Sequence, residues 1–150
     1  MHALLELVEP LGPLGGVVGV ATAGIPWAAW IGEALDLPVG YVRAQPKSHG
    51  LGKQVEGLKL PAQDLLVVED LLSTGGSVER AIAALEAAGG SPKAVAVLWS
   101  YELPEAKALP YPVQALLTFS EALGYWEEAG FLSRREADRL RVWHTYGTLP

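Results

Sequence analysis

The stretch VVEDLLSTGGS, residues 67–77, decides the fold of this chain. The preceding run, Asp64–Val68, is apolar after its first residue and predicts a buried parallel strand. The segment Ser77–Ala88 has helical spacing and is followed by Gly89 and Gly90, which favour a helix stop. The residues in between therefore lie after the carboxyl end of a strand and before a helix, where open α/β sheets bind ligands.

The turn between strand and helix has the composition of a phosphate site. Backbone N–H groups at a helix start attract anions, and Gly75 and Gly76 allow a close approach of the backbone. No Lys follows Gly76, which excludes the nucleotide P-loop. Glu69 and Asp70 add acceptors for hydroxyl groups, and a ribose carrying a phosphate needs both features. An ordinary strand–loop–helix junction with an N-cap Ser is the alternative, and it leaves the acidic pair unexplained.

Strand and helix patterns alternate along the rest of the chain. We expect further strands at Val17–Ala21, Leu37–Val42, Ala94–Trp99 and Val113–Leu117, and further helices at Ala3–Glu9, Pro26–Ala34, Phe119–Ala129 and Arg134–Trp143. Ser133 is the expected N-cap of the last helix, with Glu136 completing a capping box. The pattern predicts one α/β domain, residues 1–150, with a mostly parallel sheet flanked by helices and a pair of C-terminal helices at about 119–143.

The segment Arg43–Gly57 interrupts this alternation. It is polar, basic and glycine-bearing, and we interpret it as a long mobile loop, about residues 43–57, with hairpin ends. Long loops inside compact domains are usually functional.

Composition excludes several classes of protein. The net charge of −6 argues against a general nucleic-acid or anionic-membrane binder, and the absence of Cys excludes disulfides and thiolate metal sites. No apolar run is long enough to span a membrane. The amino terminus has no basic region before its apolar residues, so we expect no secretory signal and a cytoplasmic protein.

Four segments together resemble one enzyme family. Glu69–Ser77 is similar to the phosphoribosyl-pyrophosphate (PRPP) motif of type I phosphoribosyltransferases. Gly19–Pro26 resembles the pyrophosphate loop of the orotate phosphoribosyltransferase branch, Tyr41–Gly50 its mobile catalytic loop, and Glu128–Arg141 its carboxyl end. The resemblance implies the type I fold with a reduced hood, because only sixteen residues precede Val17, where the family has several dozen more.

The resemblance also implies the reaction. It points to a transferase of nucleotide metabolism and pyrimidine biosynthesis that moves ribose 5-phosphate from PRPP to a base of the orotate type and releases pyrophosphate. Mg²⁺ is the implied cofactor, held by substrate oxygens and water with no direct protein ligand expected. The implied assembly is a homodimer in which each mobile loop reaches the neighbouring active site.

Residue roles follow from the same resemblance. Lys47, His49 and Asp70 are the expected catalytic residues, and Ser73 is the expected contact to the base. PRPP is expected to contact Thr22, Ala23, Gly24, Arg43, Lys47, His49, Glu69, Asp70, Ser73, Thr74, Gly75, Gly76 and Ser77.

The chain departs from the orotate pattern in its cations. Ala44 stands where the family usually has a second loop cation, and Leu98–Glu102 contains no Arg to grip the carboxylate of orotate. No Lys or Arg occurs before Arg43. These departures leave a second hypothesis open, namely a catalytically degenerate protein that binds PRPP or a nucleotide and regulates another process.

Overall fold

The structure is a computed structural model and describes residues 2–43 and 54–147. The helices are α1 (His2–Val8), α2 (Gly24–Leu35), α3 (Gly76–Ala87), α4 (Phe119–Glu128) and α5 (Arg134–Tyr146), with short 3₁₀ turns at Glu9–Leu11 and Ala106–Ala108. The strands are β1 (Gly16–Val20), β2 (Val39–Val42), β3 (Val55–Glu56), β4 (Ala62–Leu72), β5 (Gly90–Ser100) and β6 (Val113–Thr118).

The described strands form one six-stranded sheet in the order β3-β2-β1-β4-β5-β6. Every neighbouring pair is parallel except β2–β3. The predicted α/β class with a mostly parallel sheet is therefore confirmed. Successive strands are added on one side of β1 as far as β3 and on its other side from β4 onward, and this switch in strand order places a ligand crevice at the carboxyl ends of β1 and β4.

The central strand β4 is buried on both faces. Leu65 and Val67 pack into one core with α3, whereas Leu66 and Val68 pack into a second core with α2. This two-sided burial explains why the strand has a continuous apolar run rather than an alternating one.

The helices α4 and α5 form a third, aromatic cluster beside the end of β5. Phe119, Leu123 and Ala137 are its buried members, and Trp99 and Trp143 pack against them. The Ser133–Glu136 capping box predicted for the last helix is confirmed.

Two strands are longer than the apolar pattern predicts. We expected strands at Asp64–Val68 and Ala94–Trp99, but β4 continues through both acids to Leu72 and β5 runs over Gly90–Ser100. The extension follows from strand pairing, because Glu69 lies opposite Val97 and Leu72 opposite Ser100. Backbone hydrogen bonds continue past the point where the hydrophobic signal stops.

The hairpin ends expected for the loop at 43–57 are confirmed. β2 and β3 pair antiparallel, with Tyr41 opposite Glu56 and Val42 opposite Val55. The middle of this segment lies outside the described residues. None of the helices in the described ranges is long and apolar enough to cross a membrane.

Candidate functional site

The acidic pair occupies the carboxyl end of β4. Glu69 is only 6% exposed, whereas Asp70 is half-buried. The Asp70 backbone N–H donates to Glu69 Oε1 at 3.1 Å. The two side chains thus offer one sheltered and one more accessible carboxyl at the same edge of the sheet.

Burial changes the acidity of Glu69. Loss of solvation, together with the neighbouring Asp70 carboxylate, raises the pKa of Glu69 to about 7, although the Asp70 N–H and a hydrogen bond with Ser77 oppose the rise. Near neutral pH, Glu69 therefore exchanges between a charged acceptor and a neutral carboxyl group. The contact with Ser77 also joins two of the residues predicted for the site.

The turn after β4 leads into the start of α3, where Thr74 and Ser77 are exposed and Gly75 is buried. Gly75 is the N-cap of α3 and has a φ of +92°, a conformation that favours glycine. No side chain in the described part of the chain caps this helix start. Its first backbone N–H groups can therefore serve an anion, as predicted for Ser73–Ser77.

A second loop meets the same edge after β1. Thr22 and Ala23 lead into α2, which begins at Gly24 and has no side-chain cap from the residues that the structure describes. The peptide bond between Ala21 and Thr22 is cis. This loop brings a second helix start beside the acidic pair, with Thr22 and Ala23 exposed and Gly24 buried.

Close backbone packing fixes the second loop against β4. A Cβ added to Gly24 would lie 2.3 Å from the Val68 carbonyl oxygen and 3.3 Å from the Glu69 Cα. A Cβ on Gly19 would lie 2.7 Å from the Ile25 Cα. The predicted pyrophosphate loop and the acidic pair are thus in direct backbone contact, which only glycine permits at these positions.

Arg43 follows β2 and is already engaged by neighbouring side chains. Its Nε donates to Glu56 Oε1 at 2.6 Å, and its guanidinium donates to the Tyr41 hydroxyl at 3.1 Å. Sequence reasoning assigned no role to either side chain, although Glu56 lies within the predicted loop at 43–57 and Tyr41 opens the Tyr41–Gly50 segment. Lys47 and His49, the other predicted loop residues, and Ala44 lie outside the described residues.

A pocket of about 400 Å³ lies at the carboxyl ends of β4, β5 and β6. Ser100 and Thr118 line it, and Lys107 contributes a cation that sequence reasoning did not single out. The Ser100 hydroxyl accepts a hydrogen bond from the Glu102 N–H at 3.1 Å. Gly75 of the turn packs toward this side, because a Cβ there would lie 3.6 Å from the Ala106 Cα.

The site can hold a phosphorylated sugar along one edge of the sheet. Two helix starts that no described side chain caps flank two carboxyl groups, which suits a ligand with separate anionic ends and hydroxyls between them. Within residues 2–43 and 54–147, no cluster of three or more His, Asp or Glu side chains could hold a metal ion alone.

Comparison with protein families gives one match over most of the chain. The family model described as "Phosphoribosyl transferase domain" matches residues 16–118. This range contains the acidic pair, both helix-start loops and the pocket at the end of the sheet.

Individual relatives are similar over nearly the whole chain. An orotate phosphoribosyltransferase of Lactiplantibacillus plantarum is 41% identical over 147 residues, which are 95% of this chain and 69% of that protein. An orotate phosphoribosyltransferase of Bacillus caldolyticus is 39% identical over 145 residues, 94% of this chain and 70% of that protein.

Solved structures share the same fold. Orotate phosphoribosyltransferase from Aeropyrum pernix superposes with a TM-score of 0.72 at 31% identity, covering 88% of this chain and 76% of that one. Adenine phosphoribosyltransferase from Rhodothermus marinus gives a TM-score of 0.63 at 25% identity, covering 79% and 78%.

Proposed function

Because the chain belongs to the phosphoribosyltransferase family, we propose that it transfers ribose 5-phosphate from PRPP to orotate and releases pyrophosphate. One observation carries the proposal. The Glu69–Asp70 pair lies between two helix starts that have no side-chain cap among the described residues, in a chain 41% identical to an orotate phosphoribosyltransferase. In the reaction, the bond from C1 of the ribose to pyrophosphate breaks as a ring nitrogen of orotate bonds to C1 and loses its proton.

The turn at Ser73–Ser77 holds the 5-phosphate in this proposal. The backbone N–H groups at the start of α3, which no described side chain caps, supply donors, and the hydroxyls of Ser73 and Thr74 add more. Ser73 is also our proposed contact to the base, since it is the first residue after β4.

The acidic pair receives the ribose. Asp70 accepts hydrogen bonds from the ribose hydroxyls, and Glu69 joins it when ionised. Positive charge grows at C1 as the bond to pyrophosphate breaks, so a nearby carboxylate stabilises the transition state more than the ground state. This role makes Asp70, the more accessible acid, the proposed catalytic member of the pair.

The leaving pyrophosphate lies against Thr22–Gly24 in this account. The start of α2 supplies backbone donors there, and Arg43, Lys47 and His49 supply charge and hydrogen bonds. Mg²⁺ would be held by oxygens of PRPP and by water, with no direct protein ligand, and when bound it would neutralise charge on pyrophosphate.

The proposed assembly is a homodimer with shared active sites, on the strength of the resemblance of Tyr41–Gly50 to the catalytic loop of the family. A PRPP-binding regulatory protein is the second candidate. The observation that favours it is Ala44, which stands where the family usually has a second loop cation.

Pyrophosphate release tests the proposal. The protein is incubated with PRPP and Mg²⁺ alone and with orotate, uracil, hypoxanthine or adenine. We expect orotate-dependent release and formation of orotidine 5′-phosphate. Release with another base would reassign the acceptor, whereas PRPP binding by calorimetry without release from any base would favour the regulatory protein.

A further inference from the structure

The guanidinium of Arg43 is held by two side chains on adjoining strands. Glu56 accepts from Nε at 2.6 Å, and the Tyr41 hydroxyl accepts from a terminal nitrogen at 3.1 Å. The guanidinium carbon also lies 5.4 Å from the centre of the Tyr41 ring. Tyr41 and Glu56 lie directly opposite each other in the β2–β3 pair, so they form one preformed receptor for this cation.

The backbone of Arg43 is held as firmly as its side chain. Its N–H donates to the Gln54 carbonyl at 2.9 Å, and the Gln54 side-chain amide donates to the Arg43 carbonyl at 2.8 Å. Both ends of the residue are therefore fixed, and the direction of the guanidinium is set by Glu56 and Tyr41.

Arg43 lies at the same sheet edge as the proposed pyrophosphate loop. The Val42 carbonyl accepts from the Ala21 N–H at 2.8 Å, and Thr22–Gly24 follows at once. Because side chains alternate along a strand, Tyr41 lies on the same face of the sheet as Val39, which packs in the core with α2. The Arg43 guanidinium donates to the Tyr41 hydroxyl. Arg43 thus leaves the sheet at the same carboxyl edge as the proposed pyrophosphate loop, and in the proposed homodimer it serves the pyrophosphate at the neighbouring subunit's site.

Stability alone does not account for this arrangement. The Arg43 side chain is 39% exposed and that of Glu56 is 25% exposed, and ion pairs open to solvent contribute little to folding. The contacts to Glu56 and Tyr41 use two of the five guanidinium donors, which leaves others to meet phosphate oxygens.

We propose that Glu56 and Tyr41 are positioning residues that hold Arg43 ready for the pyrophosphate of PRPP. The inference rests on the proposed function. A side chain ordered before binding loses less conformational freedom when the ligand arrives, so affinity is gained without a direct contact from Glu56 or Tyr41.

The test begins with Glu56→Gln, which keeps the size of the side chain and removes its charge. Calorimetry should show PRPP binding weakened by about three- to tenfold, with a matching rise in the KM for PRPP and a smaller change in kcat. Tyr41→Phe, which removes only the hydroxyl, should weaken binding by about two- to threefold. Glu128→Gln, at the exposed end of α4, is the matched control and should leave binding unchanged.

The decisive comparison is made in an Arg43→Ala background. If Glu56 acts through Arg43, adding Glu56→Gln to Arg43→Ala should change PRPP affinity no further. Thermal unfolding of each variant separates this effect from loss of fold. An equal loss in both backgrounds would overturn the proposal, and so would tighter binding by Glu56→Gln, which would show competition with PRPP for Arg43. Failure of the unmodified protein to bind PRPP would instead refute the proposed function.

Discussion

Replacing Glu69 by Gln should stabilise the protein at alkaline pH while weakening its binding of PRPP. A carboxyl group whose pKa is higher in the folded than in the unfolded protein binds its proton more tightly when folded. For Glu69 the ordinary value is 4.5 and the folded value is about 7. The free energy of unfolding should therefore fall as the pH rises through this window and then level off.

The size of the effect follows from the shift. Each pKa unit corresponds to about 1.4 kcal/mol, so the charged, buried Glu69 costs the fold up to about 3 kcal/mol above pH 7. Glu69→Gln removes the titrating group. The variant should match the unmodified protein near pH 4.5 and exceed its stability by about 2–3 kcal/mol at pH 8.

Urea unfolding of both proteins at several pH values between 4.5 and 8 provides the assay, with Glu128→Gln as control. Calorimetry at pH 8 should show PRPP binding weakened by about tenfold or more, because a charged hydrogen bond to the ribose is lost. A stability difference that does not change with pH would refute the reasoning about Glu69, and unchanged PRPP affinity would refute its role in the site.

Three further variants test other parts of the account. Gly24→Ala places a Cβ 2.3 Å from the Val68 carbonyl, so the fold should lose about 1–3 kcal/mol in urea unfolding and PRPP affinity should fall. Unchanged values would contradict the close packing. Lys47→Ala should lower kcat strongly in steady-state assays while calorimetric PRPP affinity changes little, and a collapse of affinity would make Lys47 a binding residue. Asp70→Asn should weaken PRPP binding by about tenfold in calorimetry, and equal affinity would count against the acidic motif.

The parts of the fold that could be predicted from the sequence are those with a local cause. Val67 and Val68 lie in a strand buried on both faces, so their unbroken apolar run was informative. The Ser133 capping box was also predictable, because it needs only residues three positions apart.

The ends of the strands could not be predicted from local sequence patterns. Glu69 and Asp70 carry charge, which favours a loop by pattern, yet pairing with β5 keeps them in a strand. Burial of Glu69 depends on Gly24 and α3 packing around it, and no local pattern specifies such contacts.

The candidate site likewise has parts that could be predicted from the sequence and parts that could not. Its acidic pair and glycine turn are contiguous in sequence, and the structure brings the loop at Thr22–Gly24 against them. Glu56 could not be assigned, because its link to Arg43 arises only when β2 and β3 pair. Lys107 lies in a 3₁₀ turn without a motif, so only the pocket at the sheet edge brings it to attention.

A crystal structure of the protein with PRPP and Mg²⁺ tests the central claim most directly. The account predicts the 5-phosphate on the N–H groups of Ser73–Ser77, the ribose hydroxyls on Glu69 and Asp70, and the pyrophosphate on Thr22–Gly24. PRPP bound elsewhere, or bound here in the reverse direction with pyrophosphate on the α3 start, would contradict it.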